Sequence, residues 1–212
     1  MTRRMLGSLG AVVAGAVMLA GVASAHITPP VVLMSDRDAV VTLLAGAQRF
    51  FVREVRLSPA EQAVIKRQTG WTPDEDFYRF YLGRDGQGRL VAGTIFVTEF
   101  TIHGPVRVAV SLGPDGKVRG ATVVELTEET YPWVKPLIDL DFARDYAGQD
   151  SRGHFHLSDR LGSLEAMPQF YGQVISGLIQ RAALLFELGV LRRGDASRAL
   201  PDRRRERRGG TT

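Results

Sequence analysis

Apolar and polar positions alternate most regularly in the middle of the chain. Val106, Val108 and Val110 fall on one side and Arg107, Ala109 and Ser111 on the other, the period of a half-buried strand. Gly113-Pro114-Asp115-Gly116 supplies a turn, with glycine for unusual backbone angles and proline to set the bend. Residues 117–126 return as a second strand ending in the β-branched run Thr122-Val123-Val124, so the pattern predicts a β-hairpin. The hairpin delivers a polar, acidic and aromatic edge: Glu125, Thr127, Glu128, Glu129, Thr130, Tyr131 and Trp133.

The flanking segments extend this picture. Ser35-x-x-Asp38 reads as a capping box before Val40, Val41, Leu43 and Leu44, predicting a short helix to about Gly46. Residues 50–57 read as a strand. Ser58-Pro59-Ala60-Glu61 is a stronger helix start, with an N-cap serine, proline at the first helical position and glutamate three after the cap. That helix ends near Gly70, and residues 74–76 form an acidic turn. Residues 77–82 and 90–101 read as strands joined by a turn at Asp85-Gly86, with Gly93 marking a bulge. Four strands in series with short loops predict an antiparallel sheet, and helices before and after it make the class α+β.

Beyond Trp133 the pattern predicts a break at Lys135-Pro136, a short helix over residues 138–146 and a loop over 148–163. Residues 169–191 carry an apolar stripe at helical spacing: Val174, Ile175, Leu178, Ile179, Ala182, Leu185 and Phe186. Gly172 and Gly177 within it predict close approach of another backbone. The fold is therefore expected to be an antiparallel sheet with flanking N-terminal helices and a long C-terminal helix.

Composition changes the picture at the two ends. Arg3-Arg4, an apolar run over residues 6–25 and the closing Ala23-Ser24-Ala25 have the parts of a secretory signal. Cleavage after Ala25 is the first reading; an uncleaved membrane anchor of spanning length is the alternative. Thr2-Arg3-Arg4 also resembles, faintly, a twin-arginine signal. Either route places the domain, residues 26–191, in the periplasm or elsewhere outside the cytoplasm. Residues 192–212 are arginine-rich and read as a disordered tail, able to meet an anionic surface or a partner. The formal net charge of +4 belongs to these ends. Of 27 basic residues, Arg3, Arg4 and eight arginines from Arg192 onward lie outside the domain, leaving 17 against 20 acidic ones. A domain of that balance carries no nucleic-acid footprint. The absence of cysteine excludes disulfides, iron–sulfur clusters and thiol chemistry.

In this order the elements resemble the FMN-binding domain family, whose members include extracytoplasmic flavin subunits of the Rnf complex and of the sodium-pumping NADH:quinone reductase, and nitrous-oxide-reduction regulators. The resemblance runs over about residues 36–188. It is carried by Pro114-Asp115-Gly116-Lys117-Val118, then Glu128, Trp133 and Phe142, and by the closing helix Arg181-Ala182-Ala183-Leu184-Leu185-Phe186-Glu187-Leu188-Gly189. It implies an FMN cofactor and a flavoprotein role in electron transfer. The family carries Ser-Gly-Ala-Thr before its last helix, and the threonine often bonds covalently to the FMN phosphate. Here that motif falls on Ala166-Met167-Pro168-Gln169. Gln169 has no hydroxyl to esterify, and Pro168 removes one N–H that a phosphate-binding helix start would offer.

Three functional readings follow. In the first, the exported domain binds FMN non-covalently and passes electrons to a redox partner protein or membrane complex. The ring and phosphate would then meet Glu128, Thr130, Tyr131, Arg160, Ser163, Gln169, Phe170 and Tyr171, with Trp133 more a core residue than a ring contact. In the second, the flavin has been lost and the fold is an accessory or interaction module of an exported redox system. In the third, cleavage exposes His26 as a copper ligand, with His154 and His156 adding nitrogens. No G-x-S-x-G elbow or Ser-His-Asp context supports hydrolysis, so a carrier or accessory role stands ahead of a catalyst.

Overall fold

The computed structural model describes residues 29–153 and 155–194. The signal or anchor segment, His26, His154 and the arginine-rich tail lie outside the described residues. Six strands form one antiparallel sheet: β1 Pro30–Val32, β2 Arg49–Val55, β3 Tyr78–Arg84, β4 Leu90–Thr101, β5 Gly104–Leu112 and β6 Val118–Thr127. Their spatial order is β1-β6-β5-β4-β3-β2, so β2 to β6 form a continuous meander and β1 closes the edge beside β6. The expected α+β class holds, and the predicted hairpin is the β5–β6 pair. The three-residue β1 has too short a pattern to read from sequence.

Side-chain alternation gives the sheet two unlike faces. On the inner face Phe80, Leu82, Ile95, Val108, Val110 and Leu112 join the main core. On the outer face Ala109 and Val124 pack with Ala39, Met34, Leu43 and Phe96. Helix α1 (Asp36–Leu43) covers part of that outer face, and α2 (Pro59–Thr69) packs against the long α5 (Ala166–Phe186). Both capping predictions hold. Ser35 Oγ accepts from Asp38 N, and Ser58 and Glu61 form a reciprocal box with Pro59 at the helix start.

Helix α5 lies across the inner face and continues as a π-helical turn, Glu187–Leu191. By length and composition this run is able to cross a membrane, yet 67% of its most apolar window is buried in the domain, as in a core helix. At Gly93 the Phe186 side chain comes close against β4: a Cβ there would lie 2.3 Å from its ring. Gly93 is thus a close-approach glycine rather than the expected bulge, which falls instead at Gly83/Arg84. Gly172 also faces close neighbours, but these are the side chains of Leu157 and Leu137 rather than a backbone, and a Cβ on Gly177 would meet nothing within 4 Å.

The region after the hairpin departs most from expectation. Helix α3 (Tyr131–Asp139) begins with Pro132 in its first turn and contains Pro136. Pro136 was expected to break structure. Proline costs no hydrogen bond in the first turn, where the N–H has no intrahelical partner, and Val134 and Leu137, both fully buried, hold the short helix through Pro136. The expected helix over 138–146 is instead a reversal at Asp141, the one non-glycine residue with positive φ among those described, followed by a 3-10 turn, Phe142–Tyr146. The expected loop contains one short helix, α4 (Asp159–Gly162).

Candidate functional site

One end of the domain gathers the β4–β5 turn, the junction of β6 with α3, and the first turns of α5. Thr127 and Thr130 lock the junction: Thr130 Oγ1 accepts from Thr127 N at 3.2 Å, and Thr127 Oγ1 donates to His103 O at 2.8 Å. Thr130 is fully buried. His103 Nδ1 lies 2.6 Å from Glu129 Oε1, and the His103 ring meets the Trp133 edge with centroids 4.9 Å apart. Trp133 stacks on Tyr171 at 5.8 Å and 15°. Tyr171 is fully buried, its hydroxyl 3.3 Å from Thr101 Oγ1, and burial pushes the phenol pKa up. Phe170 meets Tyr171 edge-on at 5.2 Å. Glu128 is exposed, and its N–H donates to Pro29 O.

Arg160 meets the C-terminal end of α3, a helix about 13 Å long at 1.5 Å per residue, and Gln169, next to Phe170 in α5, turns toward α4. The Arg160 guanidinium donates to Leu140 O, to Asp141 O at 3.2 Å and to Asp145 Oδ1 at 2.7 Å. It therefore closes the C-terminus of α3, where a cation meets the negative end of the helix dipole. Gln169 Nε2 donates to Gly162 O at 2.8 Å and Leu164 O at 2.6 Å, occupying both amide hydrogens and tying α5 to the end of α4. Ser163 is exposed, with its hydroxyl 3.5 Å from Arg160 O. The start of α5 has no side-chain cap, its N-cap is Glu165, and Gln169 N bonds back to Glu165 O. Pro168 lacks a donor, so Ala166 and Met167 supply the open N–H groups of the first turn. The carboxylate of Glu165 already complements the positive helix end.

The eight predicted residues thus divide. Glu128, Thr130, Phe170 and Tyr171 belong to the gathered end, with Trp133 and His103. Arg160, Ser163 and Gln169 belong to the α3–α4–α5 corner. Tyr131 faces a third place, a 280 Å³ concavity shared with Leu33, Met34, Ile138 and Phe142. Of the histidines proposed for metal, His156 is described; its carbonyl accepts from Tyr146 Oη. Among the described residues no group of three or more His, Cys, Asp or Glu could hold a metal ion.

A further concavity of 340 Å³ was not visible to sequence reading. Sheet pairing between β3 and β4 stops at Phe80↔Ile95, whereas β4 continues against β5 to Thr101↔Gly104. Residues 96–101 therefore pair within the sheet on one side alone. Trp71, Phe77, Phe96 and Phe100 line the resulting notch. Its arginines are matched: Arg107 to Asp36 at 2.6 Å, Arg79 to Glu54 at 2.8 Å, and Arg181 to Glu99. The available signal was length alone, twelve residues in β4 against seven in β3. Compared with known protein families, curated proteins and solved structures, the chain matches none.

Proposed function

We propose that this chain is a flavin-free accessory module, built on an FMN-binding-type scaffold and working by contact with an exported redox system. One observation carries this reading. The polar groups expected to hold a flavin phosphate already serve the fold: both Gln169 amide hydrogens go to Gly162 O and Leu164 O, and the Arg160 guanidinium goes to Asp145 and two carbonyls. Freeing the Gln169 amide for a ligand would take from Gly162 O and Leu164 O the donor they share, and freeing Arg160 would break its pairing with Asp145 and the end of α3. The aromatic faces are similarly engaged, because Trp133 and Tyr171 stack on one another. The contact surface best suited to an accessory role is the open side of β4, where backbone groups and aromatic side chains line one notch. The test is the visible absorbance of the exported protein, purified without added cofactor and then denatured. The expected result is a colourless protein and a flavin-free supernatant. Stoichiometric FMN released on denaturation would return the chain to the electron-carrier reading.

A further inference from the structure

Two of the most exposed large apolar side chains in the described structure sit together at the β4–β5 turn. Ile102 is 95% exposed and Phe100 is 80% exposed. The turn is a tight one closed by Thr101↔Gly104, so both side chains are carried on a rigid hairpin. The chain enters the fold at this same end. Pro30 pairs with Thr127, Pro29 O accepts from Glu128 N at 3.1 Å, and Thr127 Oγ1 donates to His103 O at 2.8 Å. Pro29 is therefore two hydrogen bonds from the turn. Only residues 26–28 separate it from the apolar run 6–25, which is long enough to span a bilayer. Three residues reach about 10 Å at most.

We infer that the β4–β5 turn is a lipid-contacting surface, resting in the interfacial layer of the bilayer that residues 6–25 enter as a retained anchor. This goes beyond the accessory role and does not depend on it. The charge around the turn selects the kind of lipid contact. Glu128 is exposed there, Glu129 is held by His103, and Lys135 and Arg181 are matched to Asp139 and Glu99. The basic side chains named here are paired among the described residues, so the contact is by apolar insertion into a zwitterionic surface rather than by attraction to anionic headgroups. The arginine-rich segment starts elsewhere. Leu191 packs against Gly116 in the β5–β6 turn, at the far end of strands about 30 Å long.

The absence of cysteine makes the test direct. Ile102→Cys and Asp115→Cys, each in the full-length chain, place one fluorescent probe at the near turn and one at the far turn. Both chains are reconstituted into phosphatidylcholine vesicles containing lipids with a shallow nitroxide. Ile102 is almost wholly exposed, so its replacement leaves packing untouched, and a wild-type circular dichroism spectrum certifies each variant. The expected result is strong nitroxide quenching of the Ile102 probe, several-fold above that at Asp115, unchanged by added salt. Equal, weak quenching at both positions overturns the inference. So does recovery of the exported chain in soluble form starting at His26. An Ile102 probe that stays aqueous in vesicles and becomes shielded only when solubilised membrane proteins are added assigns the turn to a protein partner and overturns it as well.

Discussion

Gln169 shows how one residue decides between two roles. As a glutamine it cannot esterify a phosphate, and its amide instead bridges Gly162 O and Leu164 O. Gln169→Ala is expected to lower stability by about 1–2 kcal/mol, seen as a lower urea midpoint, because two acceptors lose their donor. Gln169→Thr is expected to lose the same bridge without acquiring covalent flavin, since Pro168 still denies the phosphate an N–H; mass spectrometry after expression with flavin reads this. At Gly93 the Phe186 ring leaves no room for a side chain. Gly93→Val drives atoms into the Phe186 ring and is expected to cost about 1–3 kcal/mol by denaturant unfolding. Asp36 and Arg107 pin α1 to the sheet through two hydrogen bonds of 2.6 and 2.8 Å, with the guanidinium over the Phe96 ring. Hydrogen bonding to Arg107 is the main influence holding the Asp36 carboxyl below its ordinary range. A carboxyl lowered in the folded state stabilises it above the unfolded pKa of about 4 and ceases to do so as pH falls through the folded value. The stability gap between wild type and Asp36→Asn is therefore expected to be full at neutral pH and to close below about pH 4, measured by urea midpoints across that range.

At the scale of elements, legibility followed the strength of local chemistry. The Ser58 box was readable because serine, proline and glutamate each act within one helical turn. Ser58→Ala is expected to cost about 1 kcal/mol by the same unfolding measurement. The β5–β6 hairpin was readable because valines alternate around an obvious turn. Its bulge was not: between Arg107↔Glu125 and Val108↔Val123 the register shifts, leaving Val124 as an extra residue with no partner on β5. A period-two pattern carries no sign of that extra residue. Helix α3 was hidden by its prolines, since its hold comes from Val134 and Leu137 packing on the core rather than from local propensity. Asp141 reverses the chain after it, and the carbonyls there are held by Arg160, a contact nineteen residues away in sequence. No local rule reaches that far.

Over the whole molecule, the antiparallel meander and the helix across it were legible, and the arrangement of candidate site residues was not. Sequence proximity suggested one pocket; in the fold Arg160 and Gln169 bond to the ends of α3 and α4, while Trp133 and Tyr171 stack on one another. It also opens a notch beside β4 that depends on how far two strands run together. On the proposed reading this scaffold holds no flavin. FMN is added to the full-length Trp71→Phe variant while the fluorescence of Trp133 is followed, because Trp133 stacks on Tyr171, one of the residues that the resemblance implies for the flavin. The expected emission falls only in step with the inner-filter absorbance of the added FMN. Saturable quenching with a Kd in the micromolar range or tighter, absent in a Trp133→Phe control, would contradict that reading.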